Sequence, residues 1–119
     1  MHELSVCQAL IDQVEELARE QRARRVLSLV VGVGPLSGVE AGLLKQAYPV
    51  AAAGTVAEGS ELDIESRPIR VHCRSCGEES DATVNRLLCA SCGDWQTDLV
   101  SGDELVLTRV EFLREQVYV

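Results

Sequence analysis

CRSCGEESDATVNRLLCASC, residues 73–92, is the stretch on which the fold turns. Cys73, Cys76, Cys89 and Cys92 form two CxxC pairs separated by twelve residues. Two such knuckles suffice to enclose one tetrahedral ion. A thiolate quartet is soft and closes the coordination sphere, which suits structural zinc and leaves no position open for a substrate. Two other uses of these ligands stand beside that reading. A redox dithiol needs only one CxxC, usually at a helix start in a thioredoxin-like setting that is absent from this chain. An iron–sulfur cluster is compatible with the ligands alone. His72 adjoins Cys73 and is read as a solvated neighbour outside the ligand set.

The cysteine segment is too short to bury a core of its own, so it requires a metal to fold. The rest of the chain supplies the core. Of 119 residues 46% are hydrophobic, and the aromatics are limited to Tyr48, Trp95, Phe112 and Tyr118, so Val, Leu, Ile and Ala must do the packing. The formal charge is -8. Nucleic-acid binders need a positive field to displace counterions, and an acidic chain lacks one. Within the cysteine loop Arg74 and Arg86 face Glu78, Glu79 and Asp81, and four thiolates on a divalent zinc add about -2 more. The charge argues against a nucleic-acid role.

Upstream, Leu4, Cys7, Leu10, Ile11, Val14, Leu17 and Ala18 recur at three- and four-residue steps, which predicts an amphipathic helix over residues 3–21. Ser5 and Gln8 form a capping-box pair that places its start slightly later. Arg19, Arg22, Arg24 and Arg25 gather at the helix end, where they suit its dipole. Cys7 is expected to be a small buried apolar residue rather than a nucleophile. RVLSLVVGVG, residues 25–34, reads as a strand buried on both faces. Ser37-Gly38-Val39-Glu40 reads as a capping box opening a second helix, and Pro49 is expected to end or bend it. GTVAEGS is a loop.

Residues 61–71 alternate in two halves broken at Arg67-Pro68, an edge position or a bulge. Trp95–Val100 reads as a short strand, Ser101-Gly102-Asp103 as a turn, and Glu104–Phe112 as a final strand. If that strand rejoins the first sheet, the cysteine module is an insertion. The expected fold is α+β: a small three-stranded sheet with two helices, carrying an inserted four-cysteine zinc-ribbon domain. Its domains are residues 1–70 plus 104–119, and residues 71–103. No signal peptide is recognisable and no apolar run reaches about 18 residues, which points to a soluble, cytoplasmic chain with no membrane partner. Paired CxxC motifs in a reducing cytosol read as metal ligands or redox thiols rather than disulfides.

The first three residues are Met1-His2-Glu3. A histidine at position 2 lets the α-amine, its own amide nitrogen and an imidazole nitrogen converge on one ion. Nitrogen donors in a plane suit nickel(II) or copper(II) better than zinc. Glu3 adds a carboxylate and an amide. His2 is bulky, so the initiator methionine is expected to stay. No constellation for hydrolysis accompanies these residues: there are two histidines, and Gly32 and Gly34 make only a GxG fragment without a P-loop lysine.

MHELSV at the start, VVGVGPLSGVE after the first helix, and CxxC…CxxC followed by GDELVLTRVEF together resemble the HypA/HybF family. These are nickel-insertion accessory proteins of [NiFe]-hydrogenase maturation. The resemblance spans essentially the whole chain. It implies a nickel-binding α/β domain with a separate zinc domain, and a nickel metallochaperone rather than an enzyme. It places nickel at Met1, His2 and Glu3, and zinc at Cys73, Cys76, Cys89 and Cys92. In the family an acidic residue after the GxG strand, here Glu40, is sometimes placed near the nickel. The implied partners are a HypB-type GTPase and the hydrogenase large-subunit precursor, with urease as a further client in some members. A zinc-ribbon interaction module without nickel, and a thiol redox protein, are the competing readings.

Overall fold

The computed structural model describes residues 3–114. In chain order its elements are α1 (Glu3–Glu20), β1 (Ala23–Val33), α2 (Ala41–Ala52), β2 (Glu61–Ser66), β3 (Ile69–Cys73), β4 (Glu79–Ala82), β5 (Thr97–Ser101) and β6 (Leu105–Arg114). Two three-stranded sheets result, ordered β2-β1-β6 and β4-β3-β5. The returning strand therefore lies beside β1, and the cysteine segment is an insertion between β2 and β6. The α+β class with an inserted four-cysteine module holds.

The chain divides into two compact units. Among the described residues, one takes in residues 3–31, Val39–Ile64 and residues 107–114; the other comprises Gly32–Gly38 and Glu65–Val106.

In the first unit α1 presents Cys7, Leu10, Ile11, Val14 and Ala18 to the core, the stripe expected from their spacing. Leu44, Tyr48 and Ala52 face inward from α2, and Val26, Leu29, Val31 and Leu62 from the strands. Fully buried side chains such as Leu29 and Leu44 each contribute roughly 1.5–3 kcal/mol relative to exposure. The Cys7 thiol donates to the Leu44 carbonyl at 3.5 Å, so the small residue at position 7 lets α1 approach the α2 backbone.

Three expectations about the helices need correction. First, α1 begins at Glu3 rather than after Ser5. Leu4 and Cys7 already belong to the apolar stripe, and Glu3 in the first turn suits the positive end of the dipole. Second, α2 begins at Ala41, with Glu40 itself as its N-cap, instead of opening at Ser37. Gly38 has a positive φ of 79° that breaks the helical path, and Glu40 is extended. Third, of the two outcomes expected at Pro49, an end or a bend, the end is not met: the residue lies inside α2. Pro49 and Lys45 are both exposed, so water can serve the Lys45 carbonyl that loses its donor. Buried Tyr48 and Ala52 hold the last turn in place. The 54–60 loop is tied down as well, with Tyr48 Oη and Ser60 Oγ at 2.6 Å.

β1 is shielded on both faces only in its second half, contrary to expectation: Arg24, Arg25 and Leu27 are exposed, whereas residues 31–34 are buried throughout. The break at Arg67-Pro68 separates β2, an edge strand of the first sheet, from β3, the centre of the second.

In the second unit β3 pairs antiparallel with β4, Val71 opposite Ser80, and with β5, Val71 opposite Leu99, with an irregularity at Arg70/Val71. β4, sequence ESDA, is a strand that propensity does not announce, since its residues are poor strand formers; only pairing to β3 creates it. Gly34 lies against the Gly102 carbonyl so closely that a Cβ there would overlap it. That approach lets Leu36 N–H donate to Gly102 O at 2.7 Å and Gly34 N–H to Glu104 O at 2.8 Å.

Candidate metal centre

The two CxxC turns fold identically, and backbone hydrogen bonding explains why. In the first, Gly77 N–H donates to Cys73 O at 3.0 Å and Cys73 N–H to Glu78 O at 2.9 Å. In the second, Gly93 N–H donates to Cys89 O at 2.9 Å and Cys89 N–H to Asp94 O at 3.0 Å. Gly77 and Gly93 have φ of 78° and 79°, a left-handed conformation that glycine adopts without steric cost. Each turn also aims an amide at its first sulfur: Cys76 N–H to Cys73 Sγ and Cys92 N–H to Cys89 Sγ, both at 3.4 Å.

The four sulfurs all lie within 4.8 Å of one another. Cys73 and Cys92 are 3.6 Å apart, as are Cys76 and Cys89. A disulfide needs about 2.05 Å. Four thiolates at about 2.3 Å from a tetrahedral centre are separated by about 3.8 Å. The spacing fits one shared ion. Cys73 and Cys89 are buried, while Cys76 and Cys92 are exposed.

The electrostatics support the same use. Cys89 is lowered to about 6, chiefly by the Cys92 amide and with help from that of Ser91. Cys76 receives the lowering influence of the Glu78 amide, yet desolvation and the neighbouring Cys89, Cys73 and Cys92 sulfurs push it up to about 12. Four thiols this close cannot all ionise alone. A divalent cation removes that conflict, because it stabilises every thiolate at once.

Side chains brace the knuckles. Arg74, next to Cys73, donates Nε and Nη2 to Asp98, with the Nη2–Oδ1 contact at 2.6 Å, and this holds the Asp98 carboxyl below the usual carboxylate range. Ser75 donates to Asp94 just beyond the second knuckle, depressing that carboxyl similarly. Ala90 N–H reaches Ser80 Oγ at 3.0 Å. His72 is exposed on β3, opposite Glu79 and Asp98, and is not one of the four converging residues. Cys7 is fully buried in the first unit, and its thiol is raised by desolvation and then by Glu3. It is the inert core residue expected.

At the other end of the chain, Met1 and His2 lie outside the described residues. Glu3 opens α1, and its Oε2 accepts from the Glu40 amide, a long contact of 3.4 Å. The Glu40 carboxylate turns back onto α2, accepting from Gly42 N–H at 3.1 Å and Leu43 N–H at 2.8 Å. Glu3 and Glu40 are thus brought together across 37 residues of sequence. Sequence reasoning missed this link, and treated Glu40 as the third residue of a helix rather than its cap. Gly38 shortly before it was the available sign of a later start.

The family model described as "Hydrogenase/urease nickel incorporation, metallochaperone, hypA" matches residues 1–112. Among curated relatives, the hydrogenase maturation factor HypA of Nitrosospira multiformis is 50% identical over 113 residues, 95% of this chain and 98% of that protein. The HypA of Aquifex aeolicus is 40% identical, covering 93% of this chain and 96% of its own length. Two solution structures also match. That of the Ni metallochaperone HypA from Helicobacter pylori has 26% identity and a TM-score of 0.72, covering 97% of this chain and all of the other. A second, of a HypA protein, has 27% identity and a TM-score of 0.74, covering 97% and 98%. A four-cysteine module and a three-stranded α/β unit, matched along nearly their whole length, make this chain a member of the HypA family of hydrogenase-maturation nickel metallochaperones.

Proposed function

We propose that this chain carries nickel(II) at Met1, His2 and Glu3 and delivers it to a [NiFe]-hydrogenase large-subunit precursor in the cytoplasm, without acting as an enzyme. A HypB-type GTPase is its partner, and neither nucleic acid nor membrane takes part. The supporting observation is the family match, which begins at residue 1 and includes the MHE segment. The α-amine, the His2 amide and the imidazole form fused chelate rings, and Glu3 adds a carboxylate. Such a planar nitrogen set suits nickel(II). A cargo held by a few groups at a chain end can be handed on by rearrangement.

Zinc is proposed for Cys73, Cys76, Cys89 and Cys92. Sulfur spacing, amide bonds to sulfur and the soft donor set favour it. A closed quartet has no vacant position, so its ion shapes the module and is not the cargo. The nickel domain is taken as residues 1–70 plus 104–119 and the zinc domain as residues 71–103. The second compact unit described above is wider than that zinc domain. Among the described residues no helix is long and apolar enough to cross a membrane.

The test uses untagged protein. Equilibrium dialysis should find one nickel per chain in the wild type and none in His2→Ala, with zinc content and circular dichroism unchanged. An added N-terminal tag should act like His2→Ala, because it turns the free amine into an amide. Nickel retained tightly by His2→Ala removes the assignment. A wild-type chain that binds zinc alone leaves an interaction module instead.

A further inference from the structure

The two edges of the second sheet are unlike. β4 carries Glu79, Ser80 and Asp81, a polar edge of the kind that resists pairing with other strands. β5, at the opposite edge, carries Leu99 and Val100, both exposed, and Trp95 shortly before it is 73% exposed. Antiparallel hydrogen bonding alternates between bonded and non-bonded pairs. Arg74 N–H donates to Gln96 O at 2.9 Å, so the bonded pairs continue in steps of two, to His72 opposite Asp98. Leu99, opposite Val71, falls between them. Its N–H and carbonyl therefore point away from β3, as does the Thr97 carbonyl, and among the described residues no strand lies beyond β5. Opposing residues share a face of the sheet; the Leu99 side chain stands on the face of buried Val71 yet stays exposed. Thr97 Oγ1 donates to Leu87 O at 2.7 Å, which brings exposed Leu87 to the start of the same strand.

We propose that the free edge of β5 is a strand-addition site for an extended segment of a partner protein, with apolar residues at alternate positions and arginine or lysine between them. Exposed sheet edges take up peptides in this mode, the backbone supplying affinity and alternate side chains supplying selectivity. Leu99 and Thr97 offer the backbone groups; Leu87, Trp95 and Leu99 offer the apolar contacts, and tryptophan is prominent among residues that dominate interfaces. Leu99 lies on one face of the sheet and Asp98 on the other, so apolar and basic residues of the guest must alternate. Charge selects a basic guest. Over Glu65–Val106 eight carboxylates face four arginines, and Arg67, Arg70 and Arg74 are already held by carboxylates. A second copy of this chain brings the same acidic surplus to the edge and is disfavoured. The site stands apart from the nickel reading, because it uses neither the first three residues nor the cysteine sulfurs.

The probe is a short blocked peptide alternating valine and arginine, fluorescently labelled and added to the zinc-loaded full chain. Anisotropy should show saturable binding, and the Leu99 amide should exchange more slowly in the complex. A valine–glutamate peptide should bind about tenfold more weakly or worse. A valine–arginine peptide with its backbone nitrogens methylated keeps its charge but cannot donate, and should lose about tenfold. Trp95→Ala should weaken binding by about fivefold or more. Leu99→Pro removes one outward donor and leaves the Asp98 groups that bond β3 in place. It should cost about fivefold, with zinc content unchanged.

Absence of saturable binding overturns the proposal. Equal binding of the methylated peptide does so too, since it marks attraction of charge alone, and that comparison needs no variant to fold. Undiminished affinity in both Leu99→Pro and Trp95→Ala places the peptide elsewhere and is equally fatal. Protection of the Leu99 amide that grows with protein concentration, without peptide, makes a second copy the occupant and removes the partner assignment. None of these outcomes bears on nickel uptake.

Discussion

Cys73 ends a strand and Cys92 closes a turn 19 residues later, yet their sulfurs stand 3.6 Å apart. The remaining pair, Cys76 and Cys89, repeats that distance. Between these pairs lies only one short strand, β4, with polar residues on it. The sulfur contacts join the knuckles together with the Ser75–Asp94 and Ala90–Ser80 hydrogen bonds, and the metal proposed for these cysteines is what would make four close thiolates favourable.

Metal removal should accordingly loosen the module. Chelation, or Cys89→Ser, is expected to release one zinc per chain by elemental analysis and to raise hydrogen exchange across β3, β4 and β5. Structural zinc contributes roughly 10–16 kcal/mol in small peptide systems, more than this short sheet can replace. Unchanged protection after complete metal loss would contradict the role assigned to these cysteines.

Leu44 is fully buried and lies next to the Cys7 contact. Leu44→Ala should lower stability by about 2–5 kcal/mol, the usual range for a buried leucine truncation. Urea unfolding monitored by circular dichroism measures it. A loss below about 0.5 kcal/mol would mean the helices do not share the core described.

Pro49 occupies the interior of α2 on its exposed side. Pro49→Ala restores an amide donor to the Lys45 carbonyl. Helix propensity favours Ala by up to about 3 kcal/mol, and the greater freedom of the unfolded chain offsets about 0.4–1 of that. The variant should melt at a higher temperature than wild type. A lower melting temperature would show that the proline ring itself is required.

Alkaline pH should destabilise the first unit through Tyr48 and Cys7. Tyr48 is raised by burial, with the Ser60 hydrogen bond opposing and Cys7 reinforcing the shift. Cys7 is raised by burial and then by Glu3. A raised folded-state value means the unfolded chain loses its proton first. The stabilising effect is thus complete below the unfolded values, about 8.5 for cysteine and 10 for tyrosine. It declines as pH climbs through them toward the folded values. Tyr48→Phe should flatten the upper part of this decline. It should also cost about 1 kcal/mol at neutral pH, from the lost bond to Ser60. Urea midpoints between neutral and alkaline pH test both, and an identical slope in Tyr48→Phe excludes the phenol as the cause.

Some features were legible in residue spacing alone. The α1 stripe, β1, the Arg67-Pro68 break and the four-cysteine set each rest on local periodicity or fixed intervals. Period and spacing act within a few residues, so a sequence displays them directly. Where α2 begins was not legible, because Ser37 and Glu40 fit a capping box as well as Glu40 fits a cap. The choice depends on Gly38 taking a positive φ and on Glu3 being near enough to accept from residue 40.

The chain's order of residues by itself determined which side chains are apolar, which sulfurs come in pairs, and which groups stand at its beginning. Tertiary structure alone decided that β4 is a strand, that Pro49 stays within a helix, and that Glu3 meets the Glu40 amide. Each of these depends on a partner outside the element itself: β3 for β4, the buried neighbours of Tyr48 and Ala52 for the last turn of α2, and α1 for Glu40. A hydrogen bond or a packed face has no energy until both sides are present, and folding is what brings them together.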